Sequence, residues 1–178
     1  MERDMAPEDA IFELIEAAAA GVPVIFANEN GNRPRQPYIA MAVRWSQAGP
    51  AERGSVGEDG LLSVSHHTDA IVELQGYGAG AFEGLAGMQL RLQHPLFEDR
   101  AEALGLAVFD QGRLENVPVL RDGARYEQRA VLELGVRYAT SFAGATSFIA
   151  TVAGAGVTSG GLTPPVETTF SVTEGDAP

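Results

Sequence analysis

Residues 125–138 read Arg-Tyr-Glu-Gln-Arg-Ala-Val-Leu-Glu-Leu-Gly-Val-Arg-Tyr, and their alternation decides the fold. Because successive side chains of a strand point to opposite faces, the pattern predicts one strand with an apolar face and a charged face. At ~3.3 Å per residue this strand would span ~45 Å, which is longer than most strands. The apolar face comprises Tyr126, Ala130, Leu132, Leu134, Val136 and Tyr138, and the charged face comprises Arg125, Glu127, Arg129, Glu133 and Arg137.

A strand of this length is expected to run past its own sheet and to lie against a second copy of the protein. The five charged side chains of this strand are therefore predicted to form a subunit interface, in which alternating Arg and Glu set the register. The alternative is a helix, since Tyr126, Ala130, Leu134 and Tyr138 are spaced four apart. Gly135 would weaken such a helix, so the strand is the favoured interpretation.

The composition indicates a folded chain with a limited choice of chemistry. The chain has 178 residues, of which 45% are hydrophobic and 20% charged, and this suits one domain with appendages. It contains no Cys and no Lys, which excludes disulfides, thiolate metal sites, Schiff bases and the P-loop lysine. Its net charge of −12 argues against a surface that tracks nucleic-acid phosphates.

The sequence contains neither an apolar run long enough for a membrane span nor an N-terminal secretory signal. The first residues, Met-Glu-Arg-Asp-Met-Ala-Pro-Glu-Asp, are acidic instead. We therefore expect a protein that has no membrane partner and is assembled in a cytoplasm.

Periodicity elsewhere predicts an α+β fold, a mostly antiparallel sheet with helices packed on one face. Residues 47–59 are rich in Gly and acids and are predicted to be a loop. Predicted helices cover residues 7–20, 81–93 and 96–104. Predicted strands cover residues 24–27, 38–45, 67–75, 106–109, 116–120 and 166–172.

The composition changes after residue 143, where Gly, Ala, Ser and Thr dominate. We therefore predict an α+β domain over residues 1–143 and an extended C-terminal arm over residues 144–178. The arm either becomes ordered on a neighbouring subunit or is a flexible linker.

One glycine-rich turn matches a nucleotide-binding pattern. Gly76-x-Gly78-x-x-Ala81 follows a predicted strand and opens a predicted helix, as in dinucleotide-binding proteins. A small nucleotide-binding enzyme is therefore the alternative function. The favoured interpretation is a tight turn that lets the helix pack on the sheet, because Glu98, the candidate ribose ligand, lies inside a predicted helix.

The histidines do not form a site. His66 and His67 are adjacent, so on a strand they point to opposite faces and cannot share one metal ion. His94 is the third histidine, and no Gly-x-Ser-x-Gly motif accompanies any of them. We therefore predict no catalytic residue, no metal and no cofactor.

Four stretches, taken in order, carry a resemblance to a known family. They are the loop Asn30-Gly31 through Arg33-Pro34 to Pro37-Tyr38, the turn Gly76-Tyr77-Gly78-Ala79-Gly80-Ala81, the following helix with Leu85 and Leu92, and Glu127-Gln128-Arg129-Ala130 followed by Leu132 and Leu134. In these stretches the chain resembles the phage neck and tail terminator proteins, which finish a long tail and join it to the head side.

The resemblance implies a small α+β subunit in a homohexameric ring of the virion neck, without enzymatic activity. It implies contacts with a tail tube protein on one side and a head-completion (stopper) protein on the other, with DNA only passing through the lumen. An acidic protein suits such a channel wall because like charge repels DNA. The loop with Asn30, Arg33 and Arg35 is a candidate docking element, because exposed loops on a rigid scaffold often carry contacts.

Overall fold

The computed structural model describes residues 5–57, 59–121, 123, 125–146, 151–158 and 166–173. Contacts divide the chain into two compact units, Met1–Glu52 with Val64–Phe142 (the main unit) and Arg53–Ser63 with Ala143–Pro178 (the second unit). The helices in the described residues are α1 (Pro7–Ala18), α2 (Ala81–Leu92) and α3 (Pro95–Ala103). The strands there are β1 (Val24–Phe26), β2 (Tyr38–Ala48), β3 (Glu52–Val56), β4 (Leu61–Tyr77), β5 (Leu106–Asp110), β6 (Leu114–Asn116), β7 (Val119–Arg121), β8 (Arg125–Glu127), β9 (Arg129–Ala145), β10 (Thr151–Thr158) and β11 (Val166–Thr173).

All three predicted helices are present, with ends within about two residues of the prediction. α1 begins with Pro7 at its first turn, where the missing amide hydrogen costs nothing, and Glu8 and Asp9 face the positive end of the helix dipole. His94 is the N-cap residue of α3, and its Nδ1 accepts a hydrogen bond of 3.2 Å from the Leu96 amide. This histidine therefore caps a helix, a role that the sequence analysis did not assign.

Among the described residues, seven strands form one sheet. Its path is β1-β2-β4-β9-β5, with β3 paired to β4 and β6 paired to β9. β1 runs parallel to β2, while the pairs β2–β4, β5–β9 and β6–β9 are antiparallel. This mostly antiparallel sheet with helices confirms the predicted α+β class.

The core lies between the helices and one face of this sheet. From Ala130 to Val136 of β9 every second side chain is buried, and Ala130, Leu132 and Leu134 are fully inaccessible to solvent. They join Leu85 and Met88 of α2 in one apolar cluster. The predicted alternation is confirmed within β9, because the charged residues Arg129, Glu133 and Arg137 occupy the positions between the buried ones.

The prediction of one continuous strand from Arg125 to Tyr138 is wrong at Gln128, where β8 ends and β9 has not begun. The Gln128 main-chain oxygen accepts a hydrogen bond of 3.0 Å from the Gly78 amide, and its side-chain oxygen accepts one of 2.9 Å from the Gly80 amide. β8 pairs with β7 instead of continuing β9. Tyr126, predicted on the buried face, is therefore 72% exposed.

The predicted loop at residues 47–59 is also wrong in part. β2 extends through Ala48, and Glu52–Val56 forms β3, which pairs with β4. Every residue of β3 is exposed, so the strand has no apolar alternation and is held by its backbone hydrogen bonds. β4 is likewise longer than the predicted strand at 67–75, since it spans Leu61–Tyr77.

The predicted strand at residues 116–120 is two strands, β6 and β7. Pro118 lies between them, and because proline has no amide hydrogen it cannot continue a hydrogen-bonded ladder. In the second unit, β10 and β11 form a two-stranded antiparallel sheet that pairs Thr151 with Thr173 and Thr158 with Val166. β11 agrees with the predicted strand at 166–172, while the Gly- and Ala-rich β10 was not predicted.

Candidate interaction surface

On the face of the main sheet opposite the core, Arg129 of β9 contacts side chains of the neighbouring strand β4. Arg129 Nη2 donates a hydrogen bond to Gln75 Oε1, and the guanidinium carbon lies 5.1 Å from the centre of the Tyr77 ring. The Tyr77 hydroxyl donates to the same Gln75 oxygen at 2.6 Å, and its ring stacks on Tyr38 at 4.8 Å. Arg129, a predicted interface residue, is therefore engaged inside its own subunit.

Farther along the same face, Arg137 forms a bidentate ion pair with Asp69 of β4. Arg137 Nε donates to Asp69 Oδ1 at 2.6 Å, and Nη2 donates to Oδ2 at 2.9 Å. Hydrogen bonding to Arg137 lowers the pKa of Asp69, and the same bond raises the pKa of Arg137. The guanidinium carbon also lies 5.5 Å from the centre of the Phe109 ring, so a cation–π contact adds to the pair.

One side-chain hydrogen bond links two segments that carry predicted residues, β8 and the loop before β2. Gln36 Nε2, next to Arg35 in the loop, donates a hydrogen bond to Glu127 Oε1 on β8. Arg125 lies two residues before Glu127 on the same strand, so both side chains point to one face. Arg33 lies beside Tyr38, and hydrogen bonding with that side chain raises the pKa of Arg33.

We call Arg33, Arg35 and Arg125 the basic end. All three side chains are exposed. Within the part of the chain that the structure describes, none of them forms an ion pair with a carboxylate. The structure thus brings the loop that carries Arg33 and Arg35 into contact with β8, which carries Arg125 and also the carboxylate of Glu127.

The remaining predicted residues lie apart from the basic end. Glu133 is exposed and Arg137 lies eight residues beyond Arg129 on β9, roughly 25 Å along the strand. Asn30 is exposed in the first part of the loop, and no contact places it beside β8. The predicted interface therefore divides into a basic end and a separate group along β9.

The Gly76–Ala81 turn has the geometry of a close helix-to-sheet contact. A Cβ on Gly76 would lie 3.3 Å from Ala81 and from Leu85, so α2 packs closely on the end of β4. The amides of Gly78 and Gly80, which a phosphate would need, donate to Gln128 instead. The turn therefore serves packing, as the favoured interpretation expected.

Sequence reasoning missed the polar partners Gln36, Gln75 and Gln128, and also Asp69. A signal existed for two of them. Asp69 and Gln75 lie at odd positions of β4, opposite the buried Ala70, Val72 and Leu74, so period two alone places them on the charged face. No local signal marks Gln36 or Gln128, because each contacts a residue distant in sequence.

Two properties of the described residues bear on ligands and membranes. No group of three or more His, Asp or Glu side chains in that part of the chain is placed to hold a metal ion. Likewise, no helix found there is long and apolar enough to cross a membrane.

Comparison with known families identifies the chain. A family model described as Phage neck terminator protein matches residues 8–161, which include all but the first few described residues of the main unit. The chain belongs to the phage neck terminator family. Neck terminators are structural proteins of the virion tail and neck rather than enzymes, and this confirms the resemblance. A search of curated proteins found no match to the chain.

For a neck terminator, surfaces that contact other proteins take the place of an active site. The basic end and the ion-paired face of β9 are candidates for such surfaces, since both present exposed charge. Family membership implies association with other tail or head proteins, so these surfaces are the candidate functional site.

Proposed function

We propose that the protein forms a homohexameric ring that caps the phage tail tube and joins it to the head-completion side. Membership of the neck terminator family over residues 8–161 carries this proposal. The ring binds the last ring of tube subunits, blocks the addition of further subunits and offers a docking face to the stopper protein. Assembly takes place in the cytoplasm of the bacterial host.

The charge of the chain supports this role. The formal net charge is −12, so a ring of six copies would repel DNA that passes through its lumen. A ring also requires a heterologous contact, in which one surface of a subunit meets a different surface of the next. The charged residues along β8 and β9 are candidates for that contact, together with the loop of Asn30, Arg33 and Arg35.

Electron microscopy of the purified protein, with and without tail tubes, tests the proposal. We expect six-fold rings at tube ends and no further growth of capped tubes when free tube subunits are added. Tubes preincubated with an unrelated acidic protein of similar mass are the control. Tubes that continue to grow in the presence of a saturating amount of the protein would contradict capping.

A further inference from the structure

The strand β5 forms an edge of the main sheet. Among the described strands it ends the path β1-β2-β4-β9-β5, and β9 is its only neighbour there. Leu106, Ala107 and Val108 pair with β9 in regular register, and a register shift follows before Asp110. Alternate residues of an edge strand direct their amide and carbonyl groups away from the sheet, so this side of β5 can pair with a further strand.

A cleft of about 380 Å³ lies beside this edge, between β5 and the helices α2 and α3. Its volume is in the range of clefts that bind ligands. Phe97 and Val108 in its wall are only partly buried, although they pack against the core. A strand added to β5 could therefore bury apolar side chains in this cleft. The apolar lining includes Leu92, Phe97, Ala101, Leu106 and Val108.

Gln111 adds a hydrogen-bond acceptor to the wall of the same cleft. Its side-chain oxygen is buried and receives no hydrogen bond from the described part of the chain. Its main-chain oxygen, in contrast, accepts a hydrogen bond of 2.8 Å from Gln89 Nε2, which fixes this residue beside α2. Because a buried acceptor without a donor is costly, an occupant that donates a hydrogen bond to Gln111 would be favoured.

Two carboxylates on α3 make the rim of the cleft negative. Glu98 and Glu102 line it, are exposed, and lie one helical turn apart on the same side of α3. Neither forms an ion pair with an arginine of the described residues, whereas Glu13 pairs with Arg100. The rim therefore complements a basic occupant.

We propose that this cleft binds an extended segment of a partner protein, which adds a strand to β5 and carries aliphatic side chains next to arginine or lysine. The unpaired edge selects an extended main chain, the apolar lining selects the aliphatic side chains, and the rim selects the positive charge. The occupant is a different protein because this chain has 24 acidic and 12 basic residues, so copies of it repel one another. The inference goes beyond the proposed ring, since a cleft on each subunit can be filled whether or not a ring forms.

A synthetic peptide with the sequence Arg-Thr-Val-Thr-Val-Thr-Arg and a fluorescein label is the probe. As a strand it presents both valines and both arginines on one face and the threonines on the other. We expect its fluorescence anisotropy to rise and to saturate as wild-type protein is added. The control peptide has glutamate in place of both arginines and is expected to bind at least about tenfold more weakly.

N-methylated versions of the peptide test the main-chain pairing. The valine amides point to one side of the strand and the threonine amides to the other, so methylating both valines or two threonines blocks one side at a time. Every side chain stays unchanged. We expect one version to lose binding and the other to retain it, because only one side faces β5. Equal binding of the two versions would rule out strand addition.

Variants of the protein locate the binding site. Glu98→Arg/Glu102→Arg should weaken binding of the probe at least about tenfold, whereas the matched control Glu16→Arg/Glu83→Arg reverses two exposed charges outside the cleft and should bind like wild type. Gln111→Leu should weaken binding about fivefold without loss of stability, because it removes a buried acceptor that has no donor. Circular dichroism checks the folding of each variant. If both cleft variants bind like wild type, the peptide binds elsewhere and the inference is wrong.

The outcomes separate this inference from the proposed function. No binding of the probe to wild type at peptide concentrations up to about 1 mM overturns the inference. If wild type self-associates and the probe separates the copies, the natural occupant is a second copy and the proposed partner is wrong. Electron microscopy scores rings and capping independently. Rings without peptide binding refute only this inference, and peptide binding without rings refutes only the proposed ring.

Discussion

Arg137 donates two hydrogen bonds to Asp69, one of 2.6 Å from Nε to Oδ1 and one of 2.9 Å from Nη2 to Oδ2. The pair joins β9 to β4 on the face of the sheet opposite the core, where nothing in the apolar pattern requires a link. Because of this pair, the charge of Arg137 already has a partner within its own subunit. Its two side chains are partly exposed, so salt will screen the interaction.

This ion pair predicts a loss of stability in acid. Hydrogen bonding to Arg137 lowers the pKa of folded Asp69 below its unfolded value of about 3.9, so the stabilisation is complete above that pH and is lost as pH falls through the folded pKa. Asp69→Asn should therefore lower the free energy of unfolding at pH 7 and have progressively less effect below pH 4. Urea denaturation of wild type, Asp69→Asn, Arg137→Gln and the double variant measures this. Equal effects of Asp69→Asn at pH 7 and pH 3 would contradict it.

Replacing Gly112 by alanine is expected to destabilise the fold by a steric clash, which a control variant separates from backbone strain. Its φ is +65°, and a Cβ there would lie 1.2 Å from the main-chain oxygen of Glu133. Gly105 has a similar φ of +70° but open space around a Cβ, so Gly105→Ala is the matched control. We expect Gly105→Ala to cost about 1 kcal/mol from strain alone and Gly112→Ala to cost about 3 kcal/mol or more, measured by thermal and urea unfolding. Similar costs for both variants would show that β9 tolerates the side chain.

Replacing Tyr126 by serine is expected to weaken association between copies without lowering the stability of the fold. Its side chain is 72% exposed, so Tyr126→Ser removes little from the core. If the β7–β8 hairpin packs on a second copy, the same change should weaken association by about tenfold or more, because exposed tyrosines are frequent contact hot spots. Phe142→Ser is the control, since Phe142 is 74% exposed and lies on β9, outside the β7–β8 hairpin. Sedimentation and thermal unfolding of both variants would settle the comparison, and an unchanged association of Tyr126→Ser would argue against the hairpin contact.

The glycine-rich turn predicts no nucleotide binding. Gly78 and Gly80 donate their amides to Gln128, so a phosphate would have to displace both hydrogen bonds. We therefore expect NAD and ATP to leave the melting temperature unchanged, because a ligand that binds only the folded state must raise it. Inorganic phosphate at the same ionic strength is the control. A rise that depends on nucleotide concentration and saturates would revive the nucleotide-binding alternative.

The alternating sequence of residues 129–138 determined by itself which side chains of β9 enter the core. Leu132, Leu134 and Val136 are at most 1% exposed, as period two requires. The three-and-four spacing of apolar residues likewise determined the helices, because burying one apolar stripe needs only local periodicity. These elements, in this order, were enough to predict the α+β class, while the resemblance to the terminator family rests on the four quoted stretches of sequence.

Only the tertiary structure decided where the long strand breaks and which charged residues meet. Gln128 leaves the ladder because its acceptors bind Gly78 and Gly80, and Gly80 lies 48 residues earlier in the chain. The loop of Arg33 and Arg35 reaches β8 through a hydrogen bond between residues 91 apart. Local periodicity reports which face of an element is buried, but it carries no information on contacts between elements distant in sequence. The position of the basic end therefore follows from the folded sheet, where such residues become neighbours.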